Sequence, residues 1–178
     1  MLAAPVLLYL IYTNQLGIFK WLLAISFFTD AIDGYLARKY KVVSSLGSTI
    51  DSIADDLTVL AAIIGIYKFK PEFLKQEMIL GALLLILYLV QNAYAWIKYG
   101  KMTSFHTYSA KVAAVLQGMF LILFNFLTSP IDVLFYIAAI ATLIDLVEEI
   151  ALIFILPVWK TDVKGLYWVI KNKLYRQL

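Results

Sequence analysis

The chain contains no cysteine. Disulfides and thiolate metal sites are therefore excluded. Charge is scarce as well, at 15% of 178 residues, against about 25% in an ordinary soluble domain. There is one histidine, no run of basic residues that would follow a nucleic acid, no internal repeat and no low-complexity segment. The N-terminus lacks the charged stretch and cleavage site of a signal peptide. What fills the sequence is apolar, with 63% hydrophobic residues and a mean hydropathy of +0.85. Long apolar runs recur along its whole length, the pattern of a polytopic membrane protein.

The runs predict an all-α bundle of six transmembrane helices in one domain spanning residues 1–178. Residues 1–13 are apolar but too short to cross a bilayer, which takes roughly 17–25 residues. They read as the remainder of a first span. Further spans are expected at about Ile18–Tyr40, Ser44–Tyr67, Met78–Tyr99, Thr107–Leu127 and Ile131–Leu156. Pro71 ends the third, and Ser129-Pro130 turns the chain before the sixth. The tail from Lys160 mixes aromatics with lysines and reads as an interfacial amphipathic helix. Trp21, Trp96, Trp159 and Trp168 suit interface anchors. Placing the Arg38 end in the cytoplasm puts eleven Lys and Arg inside and four outside, which fixes the expected orientation.

One stretch breaks the apolar pattern. Asp30, Asp33 and Arg38 occupy the second half of the second span, and Asp51, Asp55 and Asp56 the first half of the third. Ionisable groups at membrane depth cost on the order of 2.5–3.5 kcal/mol each on insertion scales, and they usually mark a site. The short Lys39–Val43 link brings both acidic halves to one membrane face. Asp30, Asp33 and Ala37 follow i, i+3, i+7 spacing, and Asp51 and Asp55 follow i, i+4, so each set shares a helix face. Asp56 falls on another face and is left out.

Four carboxylates so close would repel and take up protons unless a cation resolves the conflict. Oxygen ligands without His or Cys point to a hard divalent ion, Mg²⁺, Mn²⁺ or Ca²⁺. Gly34 and Gly47 leave room for a ligand to approach. Arg38, one turn past Gly34, offers a fork of donors to phosphate. A bound nucleotide diphosphate fits these parts together.

The stretch Asp30-x2-Asp33-Gly34-x2-Ala37-Arg38-x8-Gly47-x3-Asp51-x3-Asp55 resembles the signature of the CDP-alcohol phosphotransferase (CDP-alcohol phosphatidyltransferase) family. All eight fixed positions and every gap agree over about 26 residues. The resemblance implies a membrane transferase of phospholipid biosynthesis. It would move a phosphatidyl group from CDP-diacylglycerol to a small alcohol and release CMP. It further implies that Asp30, Asp33, Asp51 and Asp55 hold Mg²⁺ or Mn²⁺, two ions in all, and that Asp55 is also the general base. Gly34, Ala37, Arg38 and Gly47 would cradle the CDP moiety. A homodimer is implied by resemblance alone. Relatives carry a juxtamembrane segment with Asn, Thr and Arg before the first span, and Met1-Leu2-Ala3-Ala4-Pro5 looks like the residues just after it. That segment is expected to lie outside this sequence.

The acceptor is less legible. Lys98, Lys101 and Lys111, with His106, form a basic cluster that suits a phosphorylated alcohol such as glycerol 3-phosphate, or simply ordinary inside charge. Asp145, Glu148 and Glu149 interrupt the sixth span at a depth similar to Asp55, about 18 Å from Lys160. They read as a cavity lining for an ammonium-bearing acceptor such as serine, a partner for Lys111, or an interhelical hydrogen-bond network. A cation- or proton-coupled transporter is the rival class, but an ion path needs neither Arg38 nor the two glycines.

Overall fold

A computed structural model describes residues 3–40, 45–127 and 131–175. The described residues form eight helices and no strand. The chain divides into two compact units, Met1–Met78 with Leu121–Pro130 and Ile79–Phe120 with Ile131–Leu178.

In the first unit, α1 (Ala3–Tyr12) packs against both α2 (Leu16–Lys39) and α3 (Ser45–Phe69). Asn14 takes the left-handed conformation, with φ 57°, and closes α1. The Gln15 N–H returns to Leu10 O at 2.9 Å and the Asn14 N–H to Ile11 O at 3.2 Å, which satisfies the helix's last carbonyls. Leu7, Phe19, Leu23, Ala61 and Ala62 are fully buried. The two alanines let the helices approach closely. Phe19 lies beside Gly65 and its ring stacks at 5.7 Å on Phe69.

A short helix, α4 (Pro71–Gln76), was not foreseen in the sequence. Pro71 ends α3 as expected, but it also starts α4, because proline's fixed φ suits a first helical turn. The Lys70 ammonium secures this corner by donating to Leu127 O at 2.8 Å and to Phe124 O. Partial burial lowers its pKa from the usual lysine value.

The second unit holds α5 (Met78–Tyr99), most of α6 (Tyr108–Phe126), α7 (Asp132–Ile155) and α8 (Leu166–Tyr175). Its core is Ala95, Phe105, Leu152, Ile153, Leu156 and Val163, flanked by Tyr94, Tyr99, Leu166 and Val169. The carbonyls that α7 leaves open at its C-terminus are taken up by α5. Tyr99 Oη donates to Ile153 O at 3.1 Å and Leu156 O at 2.8 Å, and Lys98 Nζ donates to Ile153 O and Phe154 O.

Among the described residues, two helices are long and apolar enough to cross a membrane, α5 and α6. This is fewer than the six expected, and the reason is charge. The 24, 25 and 24 residues of α2, α3 and α7 are long enough. Every 18-residue stretch within each of them, however, contains at least three charged side chains. α1 has only 10 residues.

Candidate active site

The acidic halves of α2 and α3 meet the short link from opposite sides. Asp33 stands six residues before the end of α2 at Lys39, and Asp51 six residues after the start of α3 at Ser45. At 1.5 Å per residue both lie about 9 Å from the link. Asp30 and Asp55 form a second level, nine and ten residues in, at about 14 Å and 15 Å.

The contact at the far end of the hairpin sets the same register. Phe19 and Gly65 touch, and fourteen residues along each helix from that contact stand Asp33 and Asp51. Fourteen residues is nearly four full turns, so positions 33 and 51 return close to the faces that carry Phe19 and Gly65.

Asp33, Asp55 and Gly47 are exposed, whereas Asp30 and Gly34 are half-buried. Beneath them lie small or hydroxylated residues. Ser26, Ala54 and Thr58 are buried, and the Thr58 hydroxyl donates to Ala54 O at 2.9 Å. Thr29 donates within its own helix, to Ser26 O at 2.9 Å and Ile25 O at 3.0 Å. The Thr29 and Thr58 hydroxyls thus bond within their own helices. The side chains of Ala37, Arg38 and Asp51 lie outside the described residues. Without Asp51, no three Asp, Glu or His side chains among the described residues converge tightly enough to hold a metal. The donor chemistry nonetheless fits one: carboxylate oxygens at two matched levels, with no nitrogen or sulfur ligand, suit Mg²⁺ or Mn²⁺.

A second polar group lies in the second unit. Asp145, Glu148 and Glu149 of α7 are joined to α5, α6 and the segment between them. Thr107 donates to Asp145 Oδ1 at 3.3 Å, and Ser109 donates to Asp145 Oδ1 at 3.0 Å and to Glu148. Gln91 donates to Glu149 and to Thr103 Oγ1 at 2.6 Å, and Thr103 donates to Glu149 Oε2 at 3.0 Å. The Leu166 N–H donates to Glu148 Oε1 at 2.7 Å. Thr107 also caps α6, accepting the Ala110 N–H at 3.1 Å. The interhelical network is thus the reading that holds. The alternative, an ion pair with Lys111, is not formed, and the Lys111 ammonium lies over the Tyr108 ring at 5.4 Å. Gln91, which with Asn92 interrupts the apolar run of α5, was the signal in the sequence for this network.

The basic cluster is spread over separate tasks. Lys98 is engaged on the end of α7, and Lys101 Nζ sits over the Trp159 ring at 4.9 Å. His106 Nε2 lies 3.0 Å from Ser104 Oγ.

These features define a helical protein with two membrane-length apolar helices and two successive helices, α2 and α3, that each carry aspartates. The sequence profile of the CDP-alcohol phosphatidyltransferase family matches residues 1–161, and the chain belongs to that family. It is similar to the CDP-diacylglycerol–glycerol-3-phosphate 3-phosphatidyltransferase of Rickettsia bellii, 42% identical over 71 residues, covering 37% of this chain and 38% of that one. The Rickettsia typhi protein of the same name is 45% identical over 60 residues, 31% of this chain and 33% of its own. The CDP-diacylglycerol–inositol 3-phosphatidyltransferase of Saccharomyces cerevisiae is 43% identical over 47 residues, 26% of this chain and 21% of its own. The chain thus spans well under half the length of these curated relatives. No solved structure matches it.

Proposed function

We propose that the protein transfers a phosphatidyl group from CDP-diacylglycerol to an alcohol, with release of CMP, and that the acceptor is glycerol 3-phosphate. The observation that carries the reading is the two-level carboxylate register of α2 and α3 within a chain of this family. Asp30, Asp33, Asp51 and Asp55 are the residues that would hold Mg²⁺ or Mn²⁺, and Gly34, Ala37, Arg38 and Gly47 those that would receive the CDP moiety. The ions, when bound, neutralise the diphosphate and improve CMP as a leaving group. Asp55 accepts the proton of the attacking hydroxyl, and the fork of Arg38 orients the phosphates.

The same proposal places the whole chain in the membrane as one domain of six spans, with the carboxylates toward the cytoplasm and a homodimer as the assembly. The Lys and Arg distribution, eleven against four, supports the orientation. The ionisable residues that keep α2, α3 and α7 from resembling plain spans are the expected exception where a span lines a site. For the acceptor, Lys101 and Lys111 are the candidate phosphate contacts, with Lys98 held back by its bonds to α7. The glycerol-3-phosphate names of the Rickettsia relatives support this choice, and the yeast relative's name supports inositol as the second candidate.

The test is CMP release from CDP-diacylglycerol by the purified protein with Mg²⁺ and a panel of alcohols. Release with glycerol 3-phosphate, and not with serine or inositol, is the expected result. Release with another alcohol replaces the acceptor. Proton- or Na⁺-driven uptake into proteoliposomes without CMP release would replace the reaction class.

A further inference from the structure

The family match ends at residue 161, but the ordered chain continues into α8. The approach to α8 is tightly held. The Val163 side chain is buried in the core of the second unit, and its N–H donates to Phe105 O at 2.7 Å. Lys164 O accepts the Tyr108 N–H at 3.3 Å. Gly165 has φ +144°, and a Cβ there would meet Glu148 Oε1 at 2.9 Å. That close approach lets Leu166 N–H donate to Glu148 Oε1 at 2.7 Å. Leu166 and Val169 then pack on the core.

This seating fixes which residues of α8 remain outside. Tyr167, Trp168, Ile170 and Lys171 are exposed, and so are Lys160 and Lys164 on the approach. From residue 160 onward the sequence has Lys160, Lys164, Lys171, Lys173 and Arg176 against a single acid, Asp162. Two aromatic rings and one aliphatic side chain on a short helix, with an excess of cations along the helix and its approach, complement an anionic lipid surface. A protein partner would need an acidic patch that also accommodates the rings, and nothing here points to one.

We propose that α8 docks on anionic lipid headgroups, and that Glu148 couples this docking to the start of α6. Glu148 takes the Leu166 amide with one carboxylate oxygen and the Ser109 hydroxyl with the other. Ser109 belongs to the first turn of α6. Seating α8 on lipid therefore stabilises the first turn of α6 through Glu148, beside the direct bond from the Tyr108 N–H to Lys164 O. The inference rests on the chain lying in a membrane and not on the transfer reaction, so its test needs no turnover.

The full chain is placed in nanodiscs of phosphatidylcholine alone or mixed with phosphatidylglycerol, and amide exchange is followed by mass spectrometry. Exchange across residues 166–175 is expected to slow in the anionic discs and to recover at high salt. The Lys160→Gln/Lys164→Gln/Lys171→Gln variant should lose this preference by a factor of roughly five for each lysine. In wild type the first turn of α6 should slow together with α8. In Glu148→Ala the lysines keep α8 lipid-responsive, while the α6 response shrinks to what the Tyr108–Lys164 bond transmits. Equal exchange of α8 in both discs overturns the docking and leaves its outer face to a protein partner. A variant without the three lysines that keeps the full lipid response overturns the charge argument. An α6 response that is undiminished in Glu148→Ala overturns the coupling.

Discussion

The ring of Phe19 in α2 occupies the space beside Gly65 in α3, so that a methyl on Gly65 would lie 2.9 Å from Phe19 Cε1. This contact registers the two helices at the end opposite the aspartates. Carried along both helices, it levels Asp33 with Asp51. Gly65→Ala is therefore expected to destabilise the protein by about 1–3 kcal/mol, the usual range for overpacking a core. Thermal unfolding in detergent measures it, and adding Phe19→Leu should recover most of the loss. If Gly65→Ala is neutral, the close contact is not what sets the register.

Asp55 is exposed near the base of the acidic level, in α3. Asp55→Asn keeps its size and removes its basicity. CMP release is expected to fall by at least about 100-fold, the lower range of a lost general base, with an unchanged unfolding temperature. Near-wild-type turnover would move the base to another residue.

Arg38 is assigned to the phosphates of the CDP-lipid and not to the alcohol. Arg38→Ala should raise the KM for CDP-diacylglycerol well beyond any change in the KM for the acceptor. Arg38→Lys should rescue little, since a point charge does not replace a planar fork. Equal changes in both constants would remove the clamp from the account.

In the second unit, Gln91 donates to Glu149, and both are buried. Gln91→Leu strips a donor from a buried carboxylate, which costs roughly 1–3 kcal/mol. The unfolding temperature should drop, and Glu149→Leu in addition should restore part of it, because the buried carboxylate that lost its donor is then gone and only the Thr103 hydroxyl has lost its partners. A further drop in the double variant would show that Glu149 stabilises the unit through more than its bond to Gln91.

Local rules carried much of the architecture. The fourth expected span coincides with α5 at Met78–Tyr99, and the fifth and sixth differ from α6 and α7 by one residue at each end. Turn residues bound these apolar runs, so length and hydropathy sufficed. α4 escaped because six residues after a proline are too few for periodicity to register. The spacing of the aspartates was legible as shared helix faces, since that depends on 3.6 residues per turn and nothing else. The Phe19–Gly65 register and the Glu148–Leu166 bond were not. The first joins residues 46 positions apart, and the second requires the positive φ of Gly165. The lysines of the basic cluster were legible as charge but not as partners of Tyr99, Trp159 and Tyr108, because tertiary packing selects those rings.

The proposed reaction requires α2 and α3 to hold divalent cations jointly, between levelled aspartates. Mn²⁺ binding to the purified protein, followed by electron paramagnetic resonance, tests it without substrate. Bound Mn²⁺ that Mg²⁺ displaces is expected, with comparable loss of binding in Asp33→Asn and in Asp51→Asn, one from each helix. Binding that survives both substitutions would contradict it.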